Sequence, residues 1–137
     1  MKTAVRFFSQ TGNTKKIADK IADIAGCKSE SVTVGLDEKV DILFLGASVY
    51  GASIAKQVSD FIARLHAEDI GQVVVFSTSA ISKRGYKLMK RELKTRKIPV
   101  ADEHFYCKGQ FYGLHKGHPD AKDLEKVIEF TNKVLTQ

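Results

Sequence analysis

Hydroxyl and amide side chains crowd one short stretch of this sequence, Ser9-Gln10-Thr11-Gly12-Asn13-Thr14, around a single glycine. Residues of these types in a row can bind an anion. Backbone N–H groups of a turn and the unsatisfied first donors of a following helix converge on one point, where the helix dipole adds positive potential. Ser9, Thr11 and Thr14 can add hydroxyl donors, and Gly12 lets the backbone approach a ligand closely. The bland reading of the same residues is a strand-to-helix turn with Asn13 or Thr11 as N-cap. Two more hydroxyl-bearing stretches, 47–53 and 77–82, each follow an apolar run.

Other chemistries are disfavoured by inspection. No G-x-G-x-x-G follows the first apolar run, and there is no G-x-x-x-x-G-K-[ST], which argues against dinucleotide and nucleoside-triphosphate cradles. A receiver domain needs acidic residues where this chain has Ser9-Gln10 and Ala47-Ser48. Cys27 and Cys107 form no CxxC or metal-spaced cluster, and neither heads a phosphatase-type loop with a placed Arg. His66, His104, His115 and His118 show neither a triad pattern nor ligand spacing, and read as surface or loop residues.

The elements that must position these stretches follow from apolar periodicity. Residues 3–8 read as a strand, and Ile17, Ala18, Ile21, Ala22, Ile24 and Ala25 mark one face of a helix over about 14–25, stopped by Gly26. Ser31–Val34 is a short second strand. The unbroken apolar run from Asp41 to Gly46 reads as a central strand buried on both faces. A loop at 47–53 leads to a helix at about 54–66, and Gln72–Phe76 is a fourth strand. After a polar loop from Ser77 to Ser82, a helix runs to about residue 97, with Pro99 outside it. Glu103–Cys107 is a fifth strand, 109–119 is irregular, and a last helix runs from Asp120 or Ala121 to Val134. Strands alternating with helices, with apolar central strands, predict an α/β fold with a parallel sheet covered on both faces. Ligands of such sheets bind outside the carboxyl ends of the strands, where the three hydroxyl-rich stretches should gather.

Length and composition fit one domain over residues 1–137 with a core of ordinary size. No apolar run approaches the roughly 20 residues that span a bilayer. The sequence enters its first strand directly, without a visible signal peptide, and two isolated thiols suit a reducing compartment, so the cytoplasm is the expected location. The net charge of +6 is distinctive, because the cations cluster. Residues 42–59 and 70–91 contain no Asp or Glu, whereas 83–97 carry eight cations and one acid, Glu92. Tyr86, Met89 and Leu93 fall at helical spacing and should face the sheet, leaving the cations outside.

The residues also carry a family resemblance. Ser9-Gln10-Thr11-Gly12-Asn13-Thr14 is similar to the [ST]-x-T-G-N-T phosphate loop of the flavodoxins, between first strand and first helix as in that family. Ser48-Val49-Tyr50-Gly51 and Ser77-Thr78-Ser79-Ala80 resemble its two flavin-ring loops. Cys107–Phe111 and Lys116–Asp120 resemble segments of bacterial flavodoxin-like proteins, so the resemblance covers the whole chain. It implies a three-layer α/β/α sandwich with a five-stranded parallel sheet of order 2-1-3-4-5, and non-covalently bound FMN. By position, Ser9 to Thr14 would hold the FMN phosphate, mostly through neutral groups although Lys15 and Lys16 lie close by. Tyr50 would stack on the ring and the Gly51 peptide would reorient toward reduced flavin. Ser77, Thr78, Ser79 and Ala80 would meet the ring's polar edge through backbone groups.

Two departures from the family stand out. The 77–82 loop has no aromatic to cover the second ring face, leaving Tyr86, Phe111, Tyr112, His115, Ile81 or Ala80. Flavodoxins are usually acidic, whereas here Lys56, Lys83, Arg84, Lys87, Lys90 and Arg91 flank the presumed ring loops. The resulting expectation is an electron-transfer protein between a reductase and an acceptor, with redox partner proteins docking at the basic 83–97 helix and a less reducing flavin than in acidic relatives. Nucleic acid is a poorer partner, because the basic stretch lacks aromatic interleaving and any recognised binding module. The rivals are a flavin-dependent quinone or protoporphyrinogen-type reductase using NAD(P)H, and a binding module that has lost the flavin.

Overall fold

The computed structural model describes residues 1–50, 53–79, 84–108 and 117–137, with Val49, Tyr50 and Ser79 described by backbone alone. Six strands appear in chain order: β1 Thr3–Phe8, β2 Ser29–Ser31, β3 Val40–Tyr50, β4 Ser53–Ile54, β5 Ile70–Ser79 and β6 Val100–Lys108. Four α-helices accompany them: α1 Asn13–Ala25, α2 Lys56–Ala63, α3 Gly85–Thr95 and α4 Ala121–Leu135.

Five strands pair in parallel in the order β2-β1-β3-β5-β6, and β4 adds a two-residue antiparallel pairing to the end of β3. Numbering the parallel strands alone gives 2-1-3-4-5, the order the family resemblance implies. The register puts Phe8, Ala47, Ser77 and Tyr106 in one row across the sheet, so the polar segments after β1, β3, β5 and β6 all leave from one edge.

Alternation along the strands sends two apolar sets to opposite faces, and helices bury both. Leu43, Leu45, Val73 and Val75 pack with Val58, Phe61 and Ile62 of α2 and with Met89 and Leu93 of α3. Val5, Phe44, Val74 and Phe76 pack with Ile17 and Ile21 of α1 and with Val127 of α4. The Phe76 ring lies against the backbone at Gly46, where an added Cβ would stand 2.0 Å from a ring carbon. At the far side of the sheet, Arg6 is 7% exposed and holds the chain after β2. Its guanidinium donates to the carbonyls of Val5, Val34 and Gly35 at 3.0–3.1 Å and lies 3.3 Å from a Glu30 carboxylate oxygen.

The elements depart from the sequence reading at their polar ends. The segments expected as loops at 47–53 and 77–82 are strand through Tyr50 and Ser79. The second strand lies at 29–31 rather than 31–34, with Val32 buried just after it. Residues 53–54 form β4, so α2 is confined to Lys56–Ala63 rather than 54–66. Helix α3 stops at Thr95, two residues short of expectation. The Ile98 N–H reaches the Leu93 carbonyl at 3.0 Å and the Lys97 N–H reaches Lys94 at 2.9 Å, with Lys97 left-handed at φ 61. That is a Schellman closure, made by a lysine where glycine is usual.

Candidate anion-binding site at the carboxyl edge of the sheet

Helix α1 begins at Asn13, with Gly12 as its N-cap at φ 88, a left-handed conformation that glycine adopts without strain. The expected side-chain cap from Asn13 or Thr11 is not made. Instead the Asn13 side-chain amide donates to Thr11 Oγ1 at 2.8 Å, and the Gly12 N–H donates to Ser9 Oγ at 2.9 Å. The first turn of α1 closes when the Lys16 N–H reaches the Gly12 carbonyl at 3.1 Å, so the amides of Thr14 and Lys15 come before any intrahelical acceptor. Among the described residues, chain neighbours aside, no heavy atom lies within 4 Å of where a Gly12 Cβ would stand, which leaves the loop open to them on that side. The Lys15 ammonium is turned to Asp19 at 2.7 Å. Although burial alone would raise the Asp19 pKa, hydrogen bonds from Lys15 and Ser29 outweigh it and lower the value. The donors of the loop itself, backbone amides and the Ser9, Thr11 and Asn13 side chains, are neutral.

Beneath the loop lies a buried triangle of hydroxyls. Thr14 Oγ1 is 2.7 Å from Ser48 Oγ and 2.8 Å from Thr78 Oγ1, and the third edge, Ser48 to Thr78, is 3.2 Å. Ser48 and Thr78 are strand residues in phase with Phe44 and Phe76, so they point to the α1 side, and all three are at most 4% exposed. The triangle joins the first turn of α1 to the ends of β3 and β5. The neighbouring Ser77 Oγ, 2% exposed and alternating to the other face, has no hydrogen-bond partner among the described residues. A buried hydroxyl without a partner costs free energy, so it marks a place left for another polar group.

The expected site residues thus fall into three sets. Ser9, Gln10, Thr11, Gly12, Asn13 and Thr14 form one loop at the carboxyl edge, with Ser9, Gln10, Thr11 and Gly12 half-buried or exposed and Asn13 and Thr14 buried. Ser48, Ser77 and Thr78 are brought beside it. Val49, Tyr50 and Ser79 reach the same edge by their backbones, with Tyr50 paired to Ser53. Gly51 and Ala80 lie outside the described residues, as do Ile81, Lys83, Phe111, Tyr112 and His115.

Features that sequence spacing did not reveal lie nearby. Tyr86 of α3 and His104 of β6 stack at 3.8 Å with an interplanar angle of 7°, and the Lys90 ammonium sits 5.1 Å from the Tyr86 ring centre. Burial and then the Lys90 charge lower the His104 pKa. The Tyr86 hydroxyl donates to the Ala101 carbonyl, so this aromatic is committed to the helix–strand seam. His118 Nδ1 lies 2.6 Å from Asp123, and Asp120 and Asp123 close a reciprocal capping box at the start of α4. Their potential ligand atoms lie within 4.8 Å of one another, but capping already accounts for both carboxylates. Burial pushes the Cys107 thiol up to about 12, which makes it a packing residue rather than a nucleophile.

The fold defines an α/β protein of the flavodoxin-like class, with the 9–14 loop at the switch point of its sheet. A family model for the flavodoxin domain matches residues 4–113, and the chain belongs to that family. An uncharacterised protein of Methanocaldococcus jannaschii is 27% identical over 137 residues, covering 90% of each chain. Among solved structures, a flavodoxin from the domain Archaea superposes with a TM-score of 0.77 at 20% identity, covering 98% of this chain and 99% of its own. Flavodoxin 2 of Bacillus cereus gives 0.72 at 18% identity over 96% of both chains. A Lactobacillus acidophilus flavoprotein solved in complex with FMN gives 0.61 at 18% identity, over 77% of this chain and 92% of its own.

Proposed function

We propose that this chain binds FMN and carries electrons between a reductase and an acceptor, as a single cytoplasmic domain over residues 1–137. The observation that carries the reading is the open loop at the start of α1, whose neutral donors match a phosphate, set beside Ser48, Ser77 and Thr78 in a chain of the flavodoxin family. The Lactobacillus relative in complex with FMN supports the same ligand. The residues present fit the group. Ser9 to Thr14 would hold its phosphate, Tyr50 and Gly51 would meet the ring face, and Ser77 to Ala80 would meet the ring's polar edge. Bound flavin supplies the redox chemistry, and the chain holds it and sets the local charge. Among the described residues no helix is long and apolar enough to cross a membrane.

Helix α3 is the docking face for an acidic redox protein. Lys87 stands three and four residues from Lys90 and Arg91, and Lys94 stands four and three residues beyond them. Such like-charge neighbours weaken a helix, and no acid lies in its first turn to complement the dipole. Its one acid, Glu92, accepts from Ser59 of α2. A charge pattern that works against its own helix is explained by a partner of opposite sign, which it would steer into encounter.

The test is to add FMN to the purified chain and record visible spectra during stepwise anaerobic reduction. Saturable FMN binding with two separable one-electron steps is expected. A chain that stays colourless with excess FMN would sink the proposal, and oxidation of NAD(P)H by the loaded chain alone would replace the carrier with a reductase.

A further inference from the structure

Three hydroxyls in contact hold three hydrogens, and at each edge either oxygen can be the donor. The two edges meeting at Thr14 are 2.7 and 2.8 Å, the usual O–H···O distance, whereas the Ser48–Thr78 edge is 3.2 Å and beyond the ordinary range. A hydroxyl accepts two hydrogen bonds and donates one. Two short edges converging on Thr14 fit an arrangement in which Ser48 and Thr78 both donate into Thr14 Oγ1, filling its acceptor positions. Thr14's own hydrogen is then the one hydrogen of the triangle not used within it. Thr14 is the second residue of α1, among the helix's unsatisfied amides and next to the opening at Gly12.

We propose that Thr78 is a positioning residue for the anion loop. Together with Ser48 it fixes Thr14 Oγ1 and turns that hydroxyl's hydrogen outward, so that Thr14 donates to the phosphate while the Thr78 side chain touches no part of the ligand. The inference rests on the FMN reading above and deepens it. The family resemblance gives the backbone of Thr78 a place at the ring's polar edge, and the inference adds a role for its side chain. With the loop empty, the three hydrogens can circulate round the triangle. Thr14 is buried with the loop empty, and a phosphate brought against it selects the converging arrangement of the hydroxyls. The position of the donor oxygen is therefore set before binding, and the ligand has only to orient its hydrogen.

The test compares FMN with riboflavin, which lacks the phosphate, as ligands for wild type, Thr78→Val, Thr14→Val and the double variant. Loss of the donor itself in Thr14→Val should weaken FMN binding about 10- to 100-fold, as for a charge-assisted hydrogen bond. Thr78→Val should weaken FMN about 3- to 10-fold and leave riboflavin within about twofold, and the double variant should bind FMN no worse than Thr14→Val, the mark of two residues acting through one bond. Thr78→Ser, which restores the hydroxyl, should recover wild-type affinity. Ser48→Ala removes the other donor and should repeat the pattern, which keeps the test decisive if Thr78→Val folds poorly. Equal weakening of both flavins by Thr78→Val, no weakening of either, or additive losses in the double variant would each overturn the inference and leave the FMN reading standing. A wild-type chain that binds neither flavin overturns the FMN reading, and this inference with it.

Discussion

At the residue scale, the side chains around the sheet edge differ in what their surroundings let them do. Cys107 is 6% exposed and its thiol is pushed up to about 12, whereas Cys27 is partly exposed. Because the thiolate is the reactive form, the native protein at pH 8 should react with one equivalent of an aromatic disulfide reagent quickly and with the second only on unfolding. Two rapid equivalents would show that Cys107 is not held as described. His104 gives a second handle. Its ring lies against Tyr86 and beside Lys90, and burial, then the Lys90 charge, lower its pKa from the usual 6.5. The unfolded chain therefore takes up a proton that the folded chain resists. The stability tied to a neutral His104 is complete above pH 6.5 and falls as the pH drops from there toward the folded pKa. His104→Gln should flatten that acid-side decline in urea unfolding, and Lys90→Met should raise the His104 midpoint followed by NMR. A His104 midpoint at or above 6.5 in the wild type would contradict the assignment.

At the element scale, two backbone positions set how strands and helices meet. Gly46→Ala puts a methyl 2.0 Å from the Phe76 ring in a fully buried layer, and the ring cannot yield without disturbing that core. Overpacking of this kind should cost about 1–3 kcal/mol, seen as a lower urea midpoint at unchanged slope. Lys97→Gly should act the other way. Lys97 takes a left-handed conformation to close α3, and relieving a non-glycine residue there should add about 1 kcal/mol. The central strands were legible because Ile42 to Leu45 and Val73 to Phe76 are unbroken apolar runs, as sheets buried on both faces require. Their polar ends were not. Ser48 and Thr78 look like loop residues, and only their two-residue phase with Phe44 and Phe76 signals that the strands continue. Residues 29–31, Ser-Glu-Ser, show no strand signature at all, because an edge strand held partly by Arg6 needs no apolar run. The anion loop was legible as a loop, since its residue types carry its chemistry locally. The triangle beneath it was not, because it joins residues 30 to 64 positions apart.

At the scale of the whole molecule, the distinctive feature is clustered positive charge. The net charge is +6, and α3 concentrates its cations on the face that follows β5 out of the site edge. A unit charge about 10 Å from a flavin would shift its final reduction step by about 0.4–1.7 kcal/mol, or roughly 20–70 mV. Replacing Lys87 and Arg91 with Gln should therefore lower that potential, by less as salt is added, and should slow association with an acidic redox protein at low ionic strength. A potential and an association rate unchanged by both substitutions would remove the electrostatic argument. One consequence of the hydroxyl triangle concerns the birth of the protein rather than its work. The loop at 9–14 is synthesised before the residues that steady Thr14, which come 34 and 64 positions later, the last of them near the end of β5. A nascent chain holding the whole loop but not yet β5 has the motif without its support. On the FMN reading proposed above, stable loading therefore follows the synthesis of β5, once the middle of the sheet can form.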